Sequence, residues 1–276
     1  MSKNILKRSV LLSMAALMVI GCGTGVDNKT PEKAYESFIY LQAEGEIDKE
    51  ISMVSKQSLK EQGIDVTTLQ KSYEEIYKNL KFNDYKVIGI NIVKTIPIDE
   101  ANVILEAQVK YTTNEKSEAQ TMHEIVALKL EEGVWNISPN GYIKTYQLGN
   151  KCGENGGIQI CLSTIRYYAD EIDVEANIKN SNSNDYAFGF AQPSGMALLF
   201  GDKEGVEGTH PRLQDMRKSN GIPVGKSNTV FIFGNGSQIF TPKEKPTVFG
   251  IDKIISMNGA LPASFDEGLT IKVHLQ

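Results

Sequence analysis

Histidine and cysteine are scarce in this sequence, with three of each in 276 residues. A zinc centre draws three or four nitrogen or sulfur ligands from that supply. His210 offers one, at the end of Gly201-Asp202-Lys203-Glu204-Gly205-Val206-Glu207-Gly208-Thr209-His210. The same run lacks the regular acidic spacing of a calcium loop. No Gly-x-Gly-x-x-Gly fingerprint, Walker loop, His-Glu-x-x-His helix or Gly-x-Ser-x-Gly elbow occurs, and Pro193-Ser194-Gly195 is a turn. No cofactor and no metal are therefore expected. Positive charge is also short: 29 Lys and Arg stand against 34 Asp and Glu, with the signs interspersed. A phosphate-tracking protein needs a basic stripe, so nucleic acid is not an expected partner.

Long apolar runs are missing too. The longest block, residues 10–20 with only Ser13 inside it, has 11 residues. As a helix it spans roughly 16 Å, short of the roughly 30 Å hydrocarbon core. Lys3, Lys7 and Arg8 precede it and Gly21-Cys22 follows, the layout of an export signal. The run Val19-Ile20-Gly21-Cys22 resembles a bacterial lipobox. That resemblance implies removal of residues 1–21 and a lipid (palmitate-bearing) anchor on Cys22. The chain would then sit in the cell envelope, on the outer face of the cell membrane or on an outer membrane. Gly23 is not acidic, which leans toward the outer membrane where the host has two.

Removing the signal leaves 255 residues, enough for two domains, and its three positives leave a charge of about −8 from the formal −5. An acidic chain does not bind anionic lipid by charge, so membrane contact is expected through the anchor itself. Cys152 and Cys161 remain, an even number in an exported chain, and a disulfide between them is expected. Closing a loop of about 10 residues restricts the unfolded state by roughly 2.5–3 kcal/mol on the chain-entropy model. Their eight-residue spacer is not the redox Cys-x-x-Cys, and no histidine lies near in sequence.

Residues 22–30 form a polar tether. Thr30-Pro31-Glu32-Lys33 is a helix start, with Thr30 as N-cap and Pro31 where no N–H is required. Ala34, Phe38 and Leu41 then recur at helical spacing. A second helix is expected over about residues 47–59, with Ile51, Val54 and Ser55 on one side. A third is expected over about 68–80, with Leu69, Tyr73, Ile76 and Tyr77 in register. The period then changes to two. A strand from Tyr85 to near Pro97 is apolar mainly at its even positions, and Val103, Leu105, Ala107, Val109 and Tyr111 alternate along the next. Met122, Val126, Leu128 and Leu130 mark a third strand, Glu132-Gly133 a turn, and residues 134–137 a closing strand. Helices followed by a meander predict an α+β layer fold.

Thr30-Pro31-Glu32-Lys33-Ala34, the Phe38 helix and the closing Leu130-Glu131-Glu132-Gly133-Val134-Trp135-Asn136-Ile137 resemble the NTF2-like fold, and within it the small bacterial lipoprotein modules. The likeness covers residues 31–138, a little under half of the mature chain. It implies three helices on a curved antiparallel sheet, closed into a cone that in some relatives holds a pocket.

Ser138-Pro139-Asn140-Gly141 is the expected boundary to a second domain, residues 139–276. Strand-like runs fall at 158–160, 162–168, 172–178, 186–191, 196–200, 229–233, 247–254 and 269–275. Ile172, Val174, Ala176 and Ile178 alternate strictly with polar residues. So many short strands predict a β-sandwich. Ile178-Lys179-Asn180-Ser181-Asn182-Ser183-Asn184 resembles a turn of bacterial immunoglobulin-like export domains. The charged stretch 201–225 is expected to be a long loop, either a disordered connection or, if the second domain binds a partner, the first place to look for it.

His123 and Glu124 are adjacent in a strand and so point to opposite faces. Glu124 shares its face with Met122, Val126 and Leu128 and is the pocket candidate. Trp135, Phe188 and Phe190 are expected to be core residues rather than a stacking surface. The expected function is a non-catalytic, membrane-anchored extracytoplasmic lipoprotein that contacts another envelope protein. The alternative is a protein that binds a small ligand or runs acid–base chemistry around Glu124 inside the cone.

Overall fold

The computed structural model describes residues 26–79, 85–113, 118–188, 196–200, 203–207, 221–233, 239, 245–258, 261–262 and 268–275. Cys22, Phe190 and His210 lie outside them, as does most of the stretch 201–225. The chain forms two compact units, the first ending at Lys144 and the second beginning at Thr145. It is rich in antiparallel β-structure, and its helices among the described residues all belong to the first unit.

Helix α1 (Pro31–Glu44) starts where the sequence predicts. Thr30 is extended, its side chain accepts from the Lys33 N–H, and Gly45 at φ 69° ends the helix. The single second helix expected over 47–59 is instead two, α2 (Ile47–Ser52) and α3 (Lys56–Gln62). The break has a tertiary cause. Ser55 N–H donates to the Ile137 carbonyl and Ile137 N–H to the Met53 carbonyl, both at 2.8 Å, so Val54 forms a parallel rung against the sheet. Ser55 then caps α3 by accepting the Ser58 N–H. The Glu131 carboxylate completes that cap. It accepts the Ser55 hydroxyl and the N–H groups of Lys56 (3.2 Å) and Gln57 (3.1 Å). A carboxylate on free N–H groups at a helix start is stabilising. Glu131→Ala should therefore lower the stability of the first unit by about 1–2 kcal/mol, read as a reduced urea midpoint with an unchanged slope. Helix α4 (Val66–Asn79) follows, its start bonded by Asp65 to the Thr68 N–H at 2.9 Å.

Strands β1 (Tyr85–Pro97), β2 (Asn102–Thr113), β3 (Gln120–Glu131) and β4 (Val134–Ser138) form an antiparallel meander in that order. Val103, Leu105, Ala107 and Val109 of β2 bury against α1, Phe38, Leu59 and Leu69 in one core. β1 departs from simple alternation. Its register shifts between Val87 and Gly89 and again between Ile92 and Lys94. These bulges leave Ile88 and Val93 about half exposed and turn the odd-numbered Val87 inward. Residues 139–141 are a single 3₁₀ turn within the first unit, and Tyr142 and Ile143 beyond it are buried.

The second unit is two antiparallel sheets. One runs β12-β7-β6-β5, built from β5 (Tyr142–Asn155), β6 (Ile158–Tyr168), β7 (Ile172–Asn180) and β12 (Gly225–Phe233). The other is organised on β13 (Val248–Asn258). One edge of β13 pairs with β15 (Leu269–His274), the other with β9 (Met196–Phe200) and then β8 (Tyr186–Phe188). Short strands β10 (Lys203–Glu207) on β9, β11 (Gly221–Ile222) on β8 and β14 (Leu261–Pro262) on β13 complete it. Part of the stretch expected to be loop is thus strand: β10, whose charged sequence hides its pairing with the expected β9, and the short β11. β5 was not expected either. Its polar run forms a strand because the chain reverses at Gly156-Gly157, with φ 55° and 76°, and returns as β6.

Cys152 and Cys161 stand four residues to either side of that turn and are joined by a disulfide. The hairpin end lies against β15. Asn155 Nδ2 donates to the Thr270 carbonyl at 2.9 Å, and a Cβ on Gly153 would come within 2.2 Å of the Lys272 carbonyl oxygen. Only glycine fits at 153. The two sheets meet through Phe231 of β12, edge-on to Phe188 at 5.6 Å and tilted on Phe249 of β13 at 5.0 Å.

Candidate functional site

Two carboxyl groups are buried in the first unit, between α1 and the elements around it. Glu124 on β3 is 6 % exposed and sits opposite Ala107, whose small side chain leaves room for it. Tyr35 of α1, itself buried, donates its hydroxyl to Glu124 Oε2, while Oε1 has no partner among the described residues. Burial raises the Glu124 pKa to about 7, partly offset by the Tyr35 bond. The same burial, and the facing carboxyl, push the Tyr35 phenol up. His123 points the other way and is exposed, as neighbours in a strand must.

Glu50 on α2 is 0 % exposed. Gln42 lies seven residues after Tyr35, two turns along the same face of α1, and its Nε2 donates to Glu50 Oε1 at 2.9 Å. Tyr77 of α4 donates its hydroxyl to Oε2 at 2.5 Å, and Tyr73 packs edge-on against Tyr77. Burial raises the Glu50 pKa to about 7, against the opposing effect of the Tyr77 and Gln42 bonds. Gln42 Oε1 is a second buried oxygen without a partner among the described residues.

Among the described residues Glu124 thus has one hydrogen-bond donor and Glu50 two, neither has a cation, and both are buried. Such groups exchange a proton near neutral pH, the range in which a general acid or base is useful. Glu124 was legible in the sequence because it interrupts an apolar strand face. Glu50, Gln42, Tyr35 and Tyr77 were not. The only sequence signal is their recurrence at helical spacing among apolar residues, which a surface stripe would also give.

A third cluster lies at the end of the first unit. Lys129, 5 % exposed, pairs with Glu61 at 3.4 Å and lies 5.9 Å above the Tyr142 ring, whose hydroxyl donates to Glu61 at 2.9 Å. Despite partial desolvation, the Gln57, Tyr142 and Lys129 contacts hold the Glu61 carboxyl below its usual range. All of its members pair with one another, which suits a structural clasp.

Of the other sequence candidates, Trp135 and Phe188 pack against the two cores. Asn180 is buried and bonds the carbonyls of Asn184 and Ile222. Among the described residues, no three His, Cys, Asp or Glu side chains gather as a metal site would require, and no helix is long and apolar enough to cross a membrane. No protein-family model matches the chain, and no curated protein matches it.

Proposed function

We propose that this chain is an exported lipoprotein, anchored through a lipid on Cys22, whose folded units serve contacts with other envelope components rather than catalysis. The observation that carries the reading is the sequence Lys3, Lys7, Arg8, the short apolar block and Val19-Ile20-Gly21-Cys22. The disulfide between Cys152 and Cys161 supports it, since such bonds persist in oxidising compartments. On this reading the first unit is an NTF2-like module, supported by helices packed on one face of a four-stranded meander. The second is an immunoglobulin-like sandwich, supported by its two antiparallel sheets. Cys22→Ala should remove the lipid mass from the protein and, like an inhibitor of the lipoprotein signal peptidase, should leave the unprocessed precursor. Unchanged processing would sink the proposal.

A second reading rests on one observation, the partnerless Oε1 of Glu124. It makes the first unit a small-ligand or acid–base protein. Saturable thermal stabilisation by an envelope metabolite, lost in Glu124→Gln, would favour it over the first.

A further inference from the structure

We infer that in the lipid-anchored protein the end of the first unit that carries the start of α1 and the β1–β2 and β3–β4 turns faces the bilayer, as an acidic stand-off surface rather than an adhesive one. The inference rests on the lipid-anchor reading and deepens it.

The folded chain is fastened from Asp27 onward. The Trp135 N–H of β4 donates to the Asn28 carbonyl at 2.9 Å. Asp27 N–H donates to Ser37 Oγ at 3.2 Å, and that hydroxyl donates to the Asp27 carbonyl at 3.0 Å. Between Cys22 and Asp27 there are five residue steps, which reach at most about 18 Å however the chain runs. The lipid therefore holds whatever surrounds Asn28 close to the headgroups.

Three elements surround it. The β3–β4 turn leads directly into Trp135. The β1–β2 turn lies beside it, because Leu130 N–H donates to the Ala101 carbonyl at 2.8 Å. The first turn of α1 joins them through Thr95 Oγ1, which donates to Glu32 at 2.7 Å. The charges at this end are mainly of one sign. Asp27, Asp99, Glu100 and Glu132 are exposed and Glu32 is half-buried. Lys33 is engaged by Glu36 at 2.6 Å; among the described residues the other exposed cations near this end are Lys29, Lys94 beside Thr95, and Lys56, whose N–H meets Glu131, fewer than the acids. A negative face within reach of the bilayer is repelled by anionic lipid over roughly one Debye length, about 8 Å at physiological salt.

The test uses the full lipidated protein in vesicles, with a fluorophore on a single added cysteine and an acceptor dye on the headgroups. Glu100→Cys marks the proposed face. Thr121→Cys marks the far end of β3, eight residues from Lys129 and so about 27 Å along the strand. Energy transfer should be several-fold stronger from position 100 than from position 121 in phosphatidylcholine vesicles. In an equimolar mixture with phosphatidylglycerol the signal from position 100 should fall, and it should recover in high salt. With Asp99→Lys and Glu132→Lys added it should rise instead. Equal transfer from the two positions, or no response to anionic lipid, overturns the inference while the lipid mass on Cys22 keeps the anchor reading intact. Absence of that mass overturns both.

Discussion

Moving the protein from about pH 5 to about pH 8 should weaken its first unit by on the order of 3 kcal/mol for each of Glu50 and Glu124. Both carboxyls titrate near 7 when folded, against an ordinary value of 4.5. Between those values the native state holds protons that the unfolded chain has released, so stability falls as pH rises. The contribution is complete below about 4.5 and gone once the pH has passed through 7. Against a typical total of roughly 5–15 kcal/mol, this is a large share. Below about pH 4.5 the opposite slope appears. Glu32, Glu61 and Asp65 have lowered pKa values, and their stabilisation is lost as they protonate. The first unit should therefore be most stable in mildly acidic solution. Trp135 is the only tryptophan and packs against this core, so its fluorescence reports the transition directly. The variant carrying Glu50→Gln and Glu124→Gln should have nearly the same urea midpoint at the two pH values. A wild-type midpoint that is flat or rises with pH would count against the buried, cation-free setting of both groups.

Phe231→Ala should cost the second unit about 3–5 kcal/mol. The ring is 0 % exposed and touches Phe188 and Phe249, so it spans the space between the two sheets. Its removal forfeits burial and the aromatic pairs together, and the pairs are worth about 0.5–1.5 kcal/mol each beyond area. The sheets cannot close the gap while Phe233 still props against Phe249 at 6.0 Å. Hydrogen exchange in β7, β12 and β13 should accelerate accordingly. A loss below about 1 kcal/mol would mean that the site collapses around the smaller side chain.

The elements legible in the sequence are those with one dominant local signal. Thr30-Pro31 starts α1 because cap chemistry needs only neighbouring residues. β2 and β7 follow from alternation, since one face of each is buried and, Ile104 apart, the other is not. The address implied by residues 3–22 is likewise a property of the linear chain.

What the tertiary structure decided required partners far away in sequence. The helix expected over 47–59 breaks because Ile137, more than eighty residues on, supplies hydrogen bonds to Met53 and Ser55. β5 exists because β6 comes back to pair with it, although its own polar residues do not alternate. The even face expected of β1 holds at Ile90 and Ile92 but not at Ile88, because two bulges, which are a matter of register with β2, interrupt the strand. The candidate site shows the same division. Glu124 stands out in the sequence because it interrupts an apolar face. Glu50 looks like any exposed helical acid until Gln42 and Tyr77 arrive from two other helices and enclose it. Periodicity tells which side of an element is unlike the other. It does not tell which polar side chain will find its donors inside, because burial is a property of everything packed around it.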